Sequence, residues 1–389
     1  MQPLPPLSLA THSLPPLSLY LHIPWCVRKC PYCDFNSHKA GNSLPEAEYV
    51  AAVLEDLQQS LPLVQGRVLH SIFLGGGTPS LFSPTAIGDL LDAAEQHIGF
   101  ANDIEITMEA NPGTFEQDKF RDYRAAGINR LSIGIQSFSE LHLQQLGRIH
   151  GAREALSAVD MARSAGFDNI NLDLMHGLPQ QTPIDAEQDL RTAIELGPQH
   201  ISWYQLTIEP NTEFYSRPPT LPVDDALADI QQAGETLLGA HGYQQYEVSA
   251  YAQTNRQSRH NLNYWRFGDY LGLGAGAHGK ITQPRQQRIL RLNKTRLPDH
   301  YLDANKSFTA QQKAIAAEDL PLEFMMNVLR LVEGVDSNLW PARTGLPLHI
   351  LNPMLQSLRN QKLLLDDNQR LATTALGQRY LNEVLATFM

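Results

Sequence analysis

YLHIPWCVRKCPYCDFNSH, residues 20–38, holds all three cysteines of a 389-residue chain: Cys26, Cys30 and Cys33. Three thiols cannot pair as disulfides without leaving one over, and clustered cysteines in a chain that lacks a secretion signal favour metal. The C-x3-C-x2-C spacing wraps a short loop around one centre. A structural zinc site wants four protein ligands, and His22 or His38 would complete it. A [4Fe–4S] cluster wants one ligand per iron, so three cysteines would leave one iron open to a small molecule. The spacing alone leaves both readings open. SLYLHI (18–23) reads as a strand, which puts the loop at a strand's carboxyl end.

Outward from the loop, apolar β-rich runs alternate with helical patterns. EAEYVAAVLEDLQQSL reads as a helix with Val50, Val53, Leu54, Leu57 and Leu61 on one face. Strands are expected at VLHSIFLGG (68–76), DIEITMEA (103–110), NRLSIGIQ (129–136), NINLDLMHG (169–177) and HISWYQLTI (200–208). This alternation predicts an α/β fold, an open (β/α)6 partial TIM barrel with its functional groups at the strand carboxyl ends. Gly75-Gly76-Gly77-Thr78-Pro79 follows the second strand, where glycines let backbone approach a ligand. Glu109 ends the third strand, Gln136 ends the fourth, and Asp173 lies on the fifth. Strand-end carboxylates can accept from an ammonium or a ribose hydroxyl.

The pattern changes from about residue 299. LPLEFMMNVLRLVEG, LPLHILNPMLQSLRNQ and TALGQRYLNEVLATFM read as helical, and KLLLDDNQRLATT as a hairpin, which predicts a smaller, mostly helical, winged-helix-like C-terminal domain. Residues 318–389 carry six Lys/Arg against eight Asp/Glu, a poor balance for phosphate, so the domain reads as a lid or interaction unit. The expected boundaries are a flexible leader over 1–17, a barrel over 18–250, a connecting segment over 251–298 and the helical domain over 299–389. The leader contains LPPLSL twice, at 4–9 and 14–19. It lacks a basic n-region and is broken by prolines, so it does not read as a signal peptide. No apolar run approaches the ~18 residues that span a bilayer. A cytoplasmic protein is expected, and a net charge of −11 argues against a nucleic-acid partner.

With an aromatic, Tyr32, before its third cysteine, the loop resembles that of the radical S-adenosylmethionine (SAM) superfamily. The resemblance implies a [4Fe–4S] cluster on Cys26, Cys30 and Cys33 whose open iron is chelated by SAM. It implies that Gly76, Gly77 and Thr78 contact the methionine part of SAM. It also places Tyr20, Tyr32, Glu109, Gln136, Arg148 and Asp173 around the cofactor. Together with FLGGGTPSL, MEANPGT, RLSIGIQSF, LGRIH, NLDLMHGLP and HNLNYWRFGDYLGLGAGAHG, the loop is similar to the oxygen-independent coproporphyrinogen III oxidase-like proteins, and among them to the heme-chaperone branch. The oxidases carry a further cysteine that would fall at position 35, where this chain has Phe35, and a longer segment before the loop. Both departures argue against decarboxylase activity.

The resemblance covers nearly all of 18–389 and implies a heme chaperone that passes heme to apo-hemoproteins, those of respiratory membranes included, with a homodimer as a candidate assembly. Its alternative is radical decarboxylation of coproporphyrinogen III. His260-Asn261-Leu262-Asn263-Tyr264-Trp265 fits the branch's HNxxYW pattern, and the resemblance makes His260, Tyr264 and Trp265 heme candidates, with His278 and His176 as weaker ligands. Lys280, Arg285, Arg288, Arg291, Lys294 and Arg296 form an acid-free basic run that is expected to hold heme propionates.

Overall fold

The computed structural model describes residues 5–10, 14–41, 43–113 and 119–389. Six parallel strands run in chain order: Leu17–Ile23, Leu69–Gly76, Phe100–Ala110, Arg130–Gln136, Ile170–His176 and His200–Gln205. One face of the sheet carries Leu17, Leu19, Ile72, Leu74, Met108, Leu131, Ile133, Leu172 and Ile201, and the other carries buried polar side chains such as Ser18, Ser71, Thr107, Ser132, Asn171 and Ser202, so both faces are covered, as a parallel sheet requires. Helices return on the outside. Glu46–Ser60 buries Tyr49, Val50, Val53 and Leu57, one turn-spaced face of the predicted helix. Pro84–His97 is capped by Ser83, whose hydroxyl accepts from Ala86 N.

The barrel is open. Past its sixth strand the sheet ends in antiparallel Ala250–Ala252 and Gln244–Glu247. On the other side, Asp269–Leu273 adds to the first strand in parallel, followed by antiparallel His278–Gln283, Arg288–Lys294 and Thr309–Ala314, giving one twelve-stranded sheet among the described residues. The expected boundaries at 250 and 298 therefore shift: 251–298 is no connector, and the sheet continues through Ala314. Two buried ion clusters fasten this extension. Asp269 accepts from Arg67 (2.7 Å), Lys280 (2.9 Å) and the backbone and hydroxyl of Thr282 (2.8 Å each). Asp56 pairs with Lys294 and accepts from the Tyr301 hydroxyl (2.7 Å).

Beyond the sheet, short helices including Leu320–Val328, Leu339–Thr344 and Asn352–Asn360 pack around Phe324, Trp340 and Leu355. Val335–Asp336 pairs with Arg370–Leu371, and Leu364 bridges Thr373, which closes the expected hairpin. The expected flexible leader lies partly outside the described residues. One described stretch of it, 5–10, is docked: Leu9 is buried in this second core, Gln287 brackets its backbone (2.7 and 3.0 Å), and Ser8 N donates to Gly345 O (2.9 Å). The second LPPLSL copy runs into the first strand.

Candidate functional site

The cysteine loop is pinned at both ends. Trp25–Cys26 pairs in parallel with His38–Lys39, so the eleven residues between them must fold back on themselves. Cys33 N donates to Cys30 O (3.1 Å), which closes the inner turn. The glycine segment then locks the loop to the barrel: Gly77 N donates to Ile23 O and Thr78 N to Trp25 O, both at 2.7 Å. A Cβ on Gly76 would strike the His22 ring at 2.5 Å, and one on Gly77 would strike the Trp25 carbonyl at 2.4 Å. The glycines thus make room for the first strand and the loop. Their freedom answers the protein's own packing, a role the sequence reading had given to ligand approach.

All three cysteines line a cavity of about 660 Å³ at the strand carboxyl ends. Tyr32, Gly76, Gly77, Thr78, Glu109, Gln136, Arg148 and Asp173 line it as well. Gln136 reaches it through a bulge at positive φ (69°), which re-aims its side chain. Arg148 threads between elements: it donates to Asn111 Oδ1 (2.6 Å), Gly134 O (2.8 Å) and Cys30 Sγ (3.6 Å). Burial opposes its charge, but Tyr32 and Cys30 outweigh that and hold the guanidinium above its ordinary value. Burial pushes the Cys26 and Cys33 thiols up. Tyr20 departs from expectation: it lies in a neighbouring cavity and donates to His22 Nδ1 (3.0 Å).

Among the acidic side chains that line the first cavity, Asp173 and Glu109 sit deepest in the barrel, on its strands. Asp173 accepts from Ser132 (2.8 Å) and Asn171 (2.9 Å), and burial raises its pKa. Glu109 accepts only weakly from Gly76 N (3.2 Å); burial, then the Asp173 charge, raise its pKa to about 8. A buried acid whose folded pKa lies above its ordinary 4.5 loses stability for the fold as pH rises from that value through about 8. Glu109→Gln is therefore expected to raise the unfolding temperature of the ligand-free protein at pH 9 and to change it little at pH 5. A pH series of thermal melts checks this.

The zinc alternative fares poorly. Among the described residues no three His, Cys, Asp or Glu side chains converge as a metal site. His22 spends both ring nitrogens, on Tyr20 and on Asn36 O (2.9 Å). A cubane needs its thiolates farther apart than one ion does, and a loop lined by three thiols with a cation at Cys30 suits it.

His260 is corrected. It is buried, its Nδ1 meets Ser71 Oγ (3.0 Å), and its Nε2 meets the Tyr264 hydroxyl (2.9 Å). Burial lowers its pKa to about 3. With both nitrogens committed it is a brace for Tyr264 and has no nitrogen left for iron. Tyr264 and Trp265 do face a cavity, the neighbouring one of about 830 Å³. His176 is buried against Trp203 (4.2 Å). The basic run divides likewise: Lys280 and Lys294 are buried ion-pair partners, Arg288 donates to Gln283 (2.8 Å), and only Arg291 and Arg296 reach the second cavity. The sequence reading missed Asn111, Ser132 and Tyr204 in the first cavity. Asn111 was within reach, since it follows the third strand in the quoted MEANPGT, whose last residue lies outside the described residues.

A profile of the radical SAM superfamily matches residues 20–193, and one of the HemN C-terminal domain matches 315–380. The chain is 53% identical over 376 residues to the heme chaperone HemW of Escherichia coli K12, covering 97% of this chain and 99% of that one. This chain belongs to the HemW family. The HemW of Haemophilus influenzae Rd is 52% identical over 380 residues, covering 97% and 98%. The solved structure of coproporphyrinogen III oxidase (HemN) from Escherichia coli superposes with a TM-score of 0.81 over 96% of this chain and 90% of its own, at 24% identity, which speaks for the fold alone. The HemW family thus shares the oxidase architecture, an α/β radical SAM barrel with a helical C-terminal domain. Among the described residues no helix is long and apolar enough to cross a membrane.

Proposed function

We propose that this HemW-family chain is a heme chaperone: it carries a [4Fe–4S] cluster on Cys26, Cys30 and Cys33, binds SAM beside it, and passes heme to apo-hemoproteins. The observation that carries the reading is the convergence of three thiols, Arg148, Glu109 and Asp173 on one cavity in a chain whose full-length relatives are named heme chaperones. When bound, the cluster supplies a single electron and an open iron for SAM. The chain's own residues hold the ligand. Asp173 and Glu109 are buried acceptors for an ammonium or hydroxyls, and a cationic ligand would restore Glu109 to its charged form. Gln136 adds an amide. Arg148 sets a positive charge against Cys30 Sγ (3.6 Å).

Coproporphyrinogen oxidation is the second reading. Phe35 speaks against it, because this position carries no sulfur and its ring stands 62% exposed at the loop's tip. Anaerobic, cluster-reconstituted protein is expected to form no protoporphyrinogen from coproporphyrinogen III, yet to bind hemin and surrender it to an apo-hemoprotein. Turnover of coproporphyrinogen would replace the chaperone reading with the oxidase one. Acceptors in respiratory membranes and a homodimer belong to the same proposal, and membrane-fraction transfer and sedimentation test them.

A further inference from the structure

The second cavity, about 830 Å³, lies between the sheet extension, the C-terminal helices and the cysteine loop, and shares Asp34, Phe35, Gly76 and Glu109 with the first. Its floor carries Tyr270 and Arg291, which flank the buried Lys280 in the ladder and are hydrogen-bonded to each other (2.7 Å). His278, two residues before Lys280, lies on the same face of its strand. One wall is Tyr264 and Trp265, the ring of Tyr264 set edge-on to Tyr270 at 4.4 Å. Another is Met326, half exposed on helix Leu320–Val328, with Arg330 beyond it, its guanidinium 4.4 Å from the Trp265 ring. The cavity is therefore broad and partly aromatic, with the guanidinium groups of Arg291, Arg296 and Arg330 on its lining beside the carboxyls of Asp34, Glu109 and Glu323. That chemistry fits a flat, apolar macrocycle carrying carboxylates.

Two histidines line this cavity, and they differ in what they can still bind. His22 is spent on Tyr20 and Asn36. His278 is exposed, and its ring is supported by the Asn293 side chain opposite it in the ladder. A hydrogen bond to one imidazole nitrogen fixes the ring and leaves the other for a metal. Desolvation, then Arg291 and Arg296, keep its pKa low, which favours the neutral, ligating form. Arg291 is oriented by Tyr270 (2.7 Å) and by Glu323, while Arg296 is exposed and its carbonyl accepts from Asn36 of the cysteine loop (2.9 Å).

We propose that the second cavity seats the heme cargo, with His278 as the iron ligand and Arg291 and Arg296 at the propionates. This rests on the heme-chaperone reading above and specifies its site. It also reassigns the HNLNYW segment: Tyr264 and Trp265 form the wall, and His260 positions Tyr264 from behind.

The test titrates the full-length protein with hemin and with metal-free protoporphyrin IX, following absorbance and electron paramagnetic resonance. Wild type is expected to give a histidine-ligated hemin spectrum. His278→Ala should lose that signature and bind hemin at least about tenfold more weakly, with recovery on added imidazole. It should bind metal-free protoporphyrin as wild type does, because no iron is there to ligate. The double variant Arg291→Gln, Arg296→Gln should lose affinity for hemin and keep it for hemin dimethyl ester. His278 is exposed, so its variant should melt like wild type. An unchanged hemin spectrum in His278→Ala, or loss of the signature in His260→Ala alone, would overturn the site while sparing the chaperone reading. A wild-type protein that binds no hemin would overturn both.

Discussion

Cys26→Ser, Cys30→Ser and Cys33→Ser proteins, reconstituted anaerobically with iron and sulfide, are expected to lose nearly all of the broad visible absorbance that the wild type develops. The chain has no fourth cysteine to substitute for a lost one. His22, one of the two imidazoles that could complete a site, is tied to Tyr20 and Asn36, so it cannot step in without breaking two hydrogen bonds. Serine alkoxide is a much harder ligand and a poor match for iron–sulfur centres. The fold should survive, because each cysteine is only half-buried and the loop's anchors are backbone bonds: His38 N to Pro24 O (2.7 Å), Ala40 N to Cys26 O (2.8 Å) and Phe214 N to Pro31 O (3.0 Å). Circular dichroism and melting temperature should accordingly change little. A triple variant that still held about four irons per chain would end the cluster assignment.

Asp269→Ala is expected to be the most damaging single change outside that loop. The carboxylate is fully buried, and its two oxygens take Arg67, Lys280 and both donors of Thr282. Removing it strands Lys280 at 2% exposure with only the Phe267 ring (4.3 Å) for company. Breaking a buried pair from one side costs about 3–5 kcal/mol, a large share of the stability of any domain. Denaturant unfolding should show that loss near neutral pH. Burial opposes the charge of Asp269, but Lys280 and Arg67 prevail and hold its pKa below the ordinary 3.8. A depressed acid stabilises the fold above its unfolded pKa and loses that contribution as pH falls through the folded one. The gap between wild type and Asp269→Asn should therefore narrow in acid, below about pH 4. Adding Lys280→Met to Asp269→Ala should recover part of the loss, since no unpaired ammonium then remains.

Residues such as Asp269 also mark where reading the chain stopped working. The six barrel strands were legible because each carries a short β-rich run with an apolar residue at every second position, as in LSLYLHI and INLDLMH, separated from the next by a helical pattern. The three cysteines were legible because their spacing is local. His260 and the lysines were not. Ser71, which takes a His260 nitrogen, is 189 positions away, and Asp56, which takes Lys294, is 238 positions away. Without such partners in view, a charge run looks like solvent-facing surface and a histidine like a ligand. The sheet extension hid for another reason: DYLGLGAGAHG is rich in glycine, which reads as loop, yet a Cβ on Gly272 would come within 2.0 Å of the His278 carbonyl. There glycine admits a neighbouring strand.

An open sheet has two unsatisfied borders, and the one at Thr309–Ala314 invites a copy of itself. Its sequence, TAQQKA, answers with glutamines and a lysine, nearly all of them exposed. Any strand docking there would have to strip water from those amides and bring Lys313 up against its own counterpart, for almost no apolar area gained. The chain can thus keep an unclosed barrel, with a wide mouth for large ligands, and still resist growing edge to edge into fibres when crowded. A homodimer, if it forms, should be built on another face.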